Sequence, residues 1–477
     1  MLHQFKKMLI TDTEFLRAEI MDVLRLFREE ESDFIHTFSR EGENYINVIE
    51  RGGVSRAFSD SWHAENELQY RRFAKRSAKL AFYLFLSEST GKTFPWGALT
   101  GIRPTKMAYA ELAEGRDFAP LFKKFCVSDE NIKITGRVLA AQREVYLKNR
   151  GRGADIFVGI PFCHTKCSYC SFITAPMPAV GKYAEEYTDC LVKEIESLSS
   201  LNLEINSVYV GGGTPFCMTE SQLARIYAAI NALNIGSAEF TVEAGRPDTF
   251  TEEKLKITKD AGVNRICVNP QTFSDKTLAR IGRRHTSEQT FAAYRMAEKY
   301  GFDINIDLIA GLPGENLSDF QNSVSCAAAL QPANITVHSL CLKSGSRLKE
   351  SAVRTSGAAD NGAESGETGD AEIDDMIAFS REALTSAGYE PYYLYRQKYQ
   401  AGANENIGWA KPKKVCVYNV GTMEEICSNV AVGAGAISKR VFGGGARIER
   451  LAAPKDIPSY LSKAAEITKK RNALFAE

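Results

Sequence analysis

The run Gly159-Ile-Pro-Phe-Cys163-His-Thr-Lys-Cys167-Ser-Tyr-Cys170-Ser-Phe172 follows directly on a short apolar stretch, Ile156–Gly159. It is a C-x3-C-x2-C triplet. Three thiolates this close in sequence suit three corners of an iron–sulfur cube and leave the fourth iron without a protein ligand. A four-cysteine electron carrier fills that corner, and zinc sites usually pair C-x2-C with a second, distant pair. An open iron is a place where a substrate binds and receives an electron. The competing readings are buried apolar cysteines or a redox pair. Pro161 and Phe162 before the first cysteine, and Tyr169 before the third, fit a cluster loop better.

Beyond the triplet, short apolar runs alternate with helical stretches. Strands are expected at Ile156–Gly159, Ser207–Val210, Glu239–Val242, Arg265–Val268, Asp303–Leu308 and Asn334–Leu340. Helices are expected between them at Ala184–Ser199, Glu220–Leu233, Glu252–Ala261, Ser287–Lys299 and Leu317–Leu330. Six β–α units in succession predict an α/β fold, a partial (β/α)6 barrel over residues 151–345 with right-handed crossovers.

Residues 1–150 read as a separate N-terminal α+β domain. Leu9–Arg28 is mostly helix-like, Tyr45–Glu50 strand-like, and Glu65–Leu86 a long helix. Further helices are expected at Met107–Ala113 and Glu130–Leu147, with Gly151-Arg-Gly153 as the boundary. Residues 346–477 read as a small C-terminal domain. Arg354–Asp370, rich in Ser, Gly, Ala, Glu and Asp, is expected to be a disordered loop. A helix at Ala371–Ala387 and the cluster Tyr389, Tyr392, Tyr393 and Tyr395 follow it.

Apolar residues make up 44% of the chain and charged residues 25%, the composition of a soluble globular protein. Lys+Arg and Asp+Glu both number 59, so no bulk positive charge argues for nucleic acid. Met1–Ile10 lacks the apolar core of a signal peptide, and no run approaches a membrane span. Eleven scattered cysteines do not form a disulfide framework. A reduced, cytoplasmic location is expected, as an oxygen-sensitive cluster requires.

Barrels of parallel strands gather their chemistry at the C-terminal strand ends. The first strand runs into the cysteine loop and the second into Gly211-Gly-Gly213-Thr214-Pro215. The third ends in Glu243, the fourth reaches Asn269-Pro-Gln271, and the fifth carries Asp307 and reaches Gly311-Leu-Pro-Gly314. The glycine run is either a tight strand-to-helix turn or a place where backbone approaches a ligand closely. Glu243, Gln271, Arg283 and Asp307 could bind hydroxyls, carboxylates or adenine edges, or form solvated salt bridges. Ile281-Gly-Arg-Arg-His285 alone reads as a basic surface turn.

Taken together these residues resemble the radical S-adenosylmethionine (SAM) superfamily, in its oxygen-independent coproporphyrinogen III oxidase family. The resemblance rests on Ile160-Pro-Phe-Cys163, Tyr209-Val-Gly-Gly-Gly-Thr-Pro215, Gln271-Thr-Phe273 and Asp307-Leu-Ile-Ala-Gly-Leu-Pro313. The N-terminal domain, Gly101-Ile-Arg-Pro-Thr-Lys106 and Asn406-Ile-Gly-Trp-Ala-Lys-Pro412 narrow it to the HemZ-like branch. It implies a 4Fe-4S cluster on Cys163, Cys167 and Cys170, with SAM on the open iron. Gly212, Gly213 and Thr214 would meet the methionine part of SAM. Glu243, Gln271, Arg283 and Asp307 match SAM-contacting positions, and Ala310 and Gly311 would lie against the adenine. The implied activity is that of coproporphyrinogen dehydrogenase, turning propionates of coproporphyrinogen III into the vinyls of protoporphyrinogen IX. The implied partners are a tetrapyrrole substrate and an electron donor such as a flavodoxin or ferredoxin. Arg103, Lys106, Arg283 and Arg284 are candidates for holding the propionates.

The chain departs from the family's oxidases at Phe157 and Gly159, where they carry an aromatic hydroxyl and a His, and at Phe172, where they carry a fourth Cys. Haem-chaperone relatives lack that Cys too. Two other readings therefore stay open: a haem-binding or haem-trafficking protein on the same barrel, and a radical enzyme for another tetrapyrrole. No His follows His338, so the haem reading would need Cys416, Tyr418 or Cys427 as ligands.

Overall fold

The structure is a computed structural model. It describes residues 9–29, 31–101, 103–171, 175–341, 346, 348, 370–396, 404–445 and 447–476. The loop expected at Arg354–Asp370 lies outside these residues, except for Asp370 where a helix begins.

The chain divides into two compact units, the first reaching Thr135 and the second starting at Gly136, inside the helix Asp129–Asn149. In the first unit, strands β1 (Leu9–Thr11), β2 (Phe34–Glu41), β3 (Asn44–Arg51) and β4 (Val54–Ser61) form a sheet in that order. Helices Arg17–Phe27 and Glu67–Thr90 bring Ile20, Leu24, Ala78 and Phe82 into a core with Phe34, Tyr45 and Ile49. β3 and these helices were expected, as was the helix Pro104–Ala113, whereas β1, β2 and β4 were not, and β1 occupies the start of the stretch read as helix. β4, Val-Ser-Arg-Ala-Phe-Ser-Asp-Ser, is exposed along most of its length and has weak apolar alternation. Eight register pairs to β3 make it a strand.

The second unit holds the parallel sheet. Strand β5 (Ala154–Ile160) leads into the two-residue β6 (Phe162–Cys163), which pairs β7 (Ala175–Pro176). Then come β8 (Ile205–Gly212), β9 (Glu239–Gly245), β10 (Arg265–Val268), β11 (Asp303–Ala310) and β12 (Asn334–Ser339). These lie side by side in the order β5-β8-β9-β10-β11-β12, all parallel. The six expected strands and the five helices between them form. Polar side chains at the helix starts explain the boundaries: Thr219, Thr251, Ser274, Thr286 and Asn316 each accept a hydrogen bond from the third helical amide.

Along each strand, residues alternate between two environments. Ile156, Val158, Val208, Val210, Phe240, Val242, Ile266, Ile304, Ile306, Leu308 and Ile335 are buried beneath the helices. The opposite face carries Asp155 and Phe157, Ser207 and Tyr209, Glu239, Thr241 and Glu243, Asn305 and Asp307, Thr336 and His338. Ile306 is fully buried. Ile306→Ala should lower the unfolding free energy by about 2–5 kcal/mol, measured by urea denaturation.

The C-terminal residues extend this same sheet on both edges. Strand β14 (Asn406–Ala410) adds antiparallel to β12, and β13 (Glu390–Tyr395) adds antiparallel to β14 as the outermost strand on that side. Strand β15 (Ser428–Val432) adds parallel to β5, followed by antiparallel β16 (Ile437–Phe442) and β17 (Arg447–Ala452). The helix Val417–Glu424 closes the inner face at the N-terminal strand ends: Tyr418 stacks on Tyr209 at 4.5 Å between centroids and on Phe157 at 6.3 Å.

Candidate functional site

Backbone bonds fix the cysteine loop above the end of β5. Ala175 N donates to Pro161 O at 2.8 Å, Ser168 N to Ile281 O at 3.0 Å, and Cys170 N to Cys167 O at 3.2 Å. Cys163 and Cys167 are 7% exposed, Cys170 is half-buried, and none of the three is in a disulfide. Burial pushes the Cys163 thiol up to about 11, with Thr214 Oγ1 at 3.4 Å acting the other way. Among the described residues, no three His, Cys, Asp or Glu side chains converge as they would around a single ion. A cube seats each thiolate on its own iron and so holds them wider apart than one ion does.

The glycine run is required by packing. A Cβ on Gly213 would stand 2.5 Å from Phe162 O and 2.7 Å from Pro161 C, and one on Gly211 would stand 2.6 Å from Glu243 Oε2. Gly212 adopts φ 113° and donates its N–H to Glu243 Oε2 at 3.3 Å. The β8 end therefore presses against the cysteine loop on one side and Glu243 on the other.

Glu243 and Asp307 come together across the inner face from β9 and β11. Asp307 accepts from Asn305 Nδ2 at 2.8 Å. Neither carboxylate has an ion-pair partner among the described residues. Burial, then repulsion from Asp307, pushes the Glu243 carboxyl up to about 7. Gln271, at φ 73°, is woven into the sheet: its N–H donates to Asp307 O and its carbonyl accepts from Ile309 N, both at 3.0 Å. Ala310 is fully buried, and a Cβ on Gly311 would stand 2.8 Å from Ile373 Cδ1 of the helix Asp370–Ser386.

The segment Ile281–His285 is not the surface turn its composition suggests. Leu278 and Ile281 pack with Ile309, Leu312, Leu340 and Tyr169, which draws the turn inward. Arg283 is 9% exposed, donates to the Asn269 carbonyl and, at 3.4 Å, to Pro270 O, and stands beside Tyr169 and Cys167. His285 is buried with neither ring nitrogen bonded among the described residues, and its pKa falls to about 3 through burial and the Arg283 charge. Arg284 stays exposed. With Arg283, His164 and Lys166 it lines an open cleft of about 480 Å³ beside the cysteine loop.

Arg103 and Lys106 lie half-buried in the first unit. Phe172 lies outside the described residues. The three residues a haem ligand role would need sit at the N-terminal strand ends and are engaged there. Cys416 Sγ donates to Glu239 Oε1 at 3.1 Å, Cys427 Sγ to Asp155 Oδ2 at 3.2 Å, and Tyr418 lies buried against Tyr209. Arg246, which the sequence reading passed over, is 2% exposed and donates to Thr165 within the cysteine loop. Its place three residues after Glu243, at a strand end, was the available signal.

A model of the radical SAM superfamily matches residues 157–327. HemZ of Bacillus subtilis (strain 168), an oxygen-independent coproporphyrinogen-III oxidase-like protein, is 36% identical over 405 residues, covering 81% of this chain and 78% of HemZ. The chain belongs to this coproporphyrinogen-III-oxidase-like family of radical SAM proteins. The heme chaperone HemW of the same organism is 36% identical over 199 residues, 39% of this chain and half of HemW. Coproporphyrinogen III oxidase (HemN) of Escherichia coli, a radical SAM enzyme, shares the fold at TM-score 0.52 and 20% identity, over 69% of this chain and 73% of HemN. Radical SAM proteins work with a four-iron cluster and SAM. No described helix of this family member is long and apolar enough to cross a membrane.

Proposed function

We propose that this protein is a radical SAM enzyme of haem biosynthesis that decarboxylates coproporphyrinogen III propionates to vinyls without oxygen. The observation that carries the reading is the pair Glu243 and Asp307, two neighbouring carboxylates with no ion-pair partner among the described residues, next to a loop that carries three cysteines outside any disulfide. That donor set fits a four-iron cluster with a cationic amino-acid ligand on its open corner.

When bound and reduced by one electron, the cluster and SAM supply a 5′-deoxyadenosyl radical that takes a hydrogen atom from a propionate β-carbon. Cys163, Cys167 and Cys170 hold the cluster. Glu243 and Asp307 receive the ammonium and hydroxyl groups of SAM, and the backbone from Gly212 to Thr214 orients its methionine part. Gln271, Ala310 and Gly311 shape the adenine side, and Arg283 supports the carboxylate. Lys166 and Arg284 offer charge for substrate propionates at the rim. The buried inner face keeps water from the radical. The substrate radical loses carbon dioxide and one electron to an external acceptor, leaving a vinyl group. A flavodoxin or ferredoxin would supply the electron that begins each turnover.

A haem carrier on the same barrel is less well supported, because Cys416, Tyr418 and Cys427 are committed to Glu239, Tyr209 and Asp155. Anaerobic, cluster-loaded protein given SAM, a reductant and coproporphyrinogen III should yield mono- and divinyl products by mass spectrometry. Deoxyadenosine without vinyl products would sink the oxidase reading and point to another tetrapyrrole. Stable haem uptake without turnover would favour the carrier.

A further inference from the structure

Strand β9 ends in Glu243-Ala-Gly245 and passes straight into Arg246. This guanidinium is held on two edges. Its Nε and Nη2 donate to the two oxygens of Asp248 at 3.0 and 2.8 Å. Its Nη1 donates to Thr165 Oγ1 at 2.6 Å. Thr165 is the middle residue between Cys163 and Cys167. The Thr165 hydroxyl, while accepting from Arg246, donates to Gly282 O at 3.4 Å. One hydroxyl thus joins the cysteine loop, the end of β9 and the turn that carries Arg283.

The charges are arranged asymmetrically. The guanidinium turns its Nη1 edge to the cysteine loop. Asp248 lies on the far edge and also approaches His164 Nδ1 at 3.9 Å. A group that gains an electron is stabilised by a near cation and destabilised by a near carboxylate, strongly so away from water. A buried arginine paired with a half-buried aspartate beside a cluster therefore acts as two opposed levers on its potential.

We propose that Arg246 is a positioning residue for the iron–sulfur loop: through Thr165 it fixes the interval between Cys163 and Cys167, and with Asp248 it sets how readily the cluster accepts an electron. The proposal rests on the reading of the cysteine triplet as cluster ligands.

The test is a redox titration of the full-length, anaerobically reconstituted protein at pH 8, followed by electron paramagnetic resonance. Arg246→Met should make reduction about tenfold harder, a midpoint about 59 mV lower for one electron. Asp248→Asn should move the midpoint the opposite way by a similar factor. Thr165→Val should weaken SAM binding several-fold and broaden the cluster signal, and Thr165→Ser should restore both. A role in packing alone would move Arg246→Met and Asp248→Asn in the same direction. That result, or an unmoved midpoint in both, would overturn the proposal. Should Arg246→Met fail to fold, Asp248→Asn decides, since an unchanged or lowered midpoint there is enough to reject the idea. Wild-type protein that takes up no iron would instead reject the cluster reading itself.

Discussion

Cys167→Ala, reconstituted without oxygen, is expected to lose its four-iron absorption band and more than about 100-fold of its deoxyadenosine production, since changing even outer partners of metal ligands costs 10–100-fold. Cys167 is buried in a loop whose backbone is tied to Ile281 and Pro161. Cys217, from the turn after β8, accepts from the His164 amide beside Cys163 rather than Cys167, and so does not stand at the missing corner. Cys190→Ala, on the helix Ala184–Glu196, is the control and should bind iron normally. Normal iron content in Cys167→Ala would refute the ligand assignment.

The second large effect concerns Glu243. Its carboxyl, at 4.5 in an ordinary setting, sits at about 7 because of burial and the nearby Asp307. Between these values the folded protein keeps a proton that the unfolded chain releases. Stability contributed by this group is therefore full below about 4.5 and falls as pH rises towards 7 and beyond. The gap corresponds to about 3 kcal/mol at most. Glu243→Gln should match wild type in thermal stability at pH 5 and exceed it at pH 8. Binding should move the other way. SAM brings a cation that favours the ionised carboxylate, so wild-type affinity should rise with pH through about 7. Glu243→Gln should lose roughly 100-fold in affinity, near 3 kcal/mol for a hydrogen bond to a charged group, and lose that pH dependence. Calorimetry at pH 6 and pH 8 checks both. Unchanged affinity in the variant would remove Glu243 from the SAM site.

Much of the barrel was legible because its two periodicities are local. Strands such as Arg265–Val268 are short apolar runs, and their flanking helices open on Thr or Asn caps whose hydrogen bonds reach only three residues. The first unit was harder to read. β4 has little apolar alternation, and it is a strand because β3 offers it a complete ladder.

At the site, the cysteine triplet and the carboxylates of β9 and β11 could be named because their positions follow from strand direction. The turn Ile281–His285 was misread for the opposite reason. Two arginines and a histidine look solvated in one dimension, but Leu278 and Ile281 draw the turn into a core formed by residues from β11 and the segment after it.

The sequence by itself determined the order of the parallel strands, the loop that carries the three thiols, and the rim where the polar residues collect. These depend on spacing, periodicity and caps, which act over a few residues. Only the tertiary structure decided that Glu243 and Asp307 share one space, that Arg246 and Arg283 reach the cysteine loop, and that Cys416 and Cys427 are spent at the opposite end of the strands. Each of those outcomes joins residues far apart in the chain, and register and packing between strands, which no local pattern encodes, bring them together.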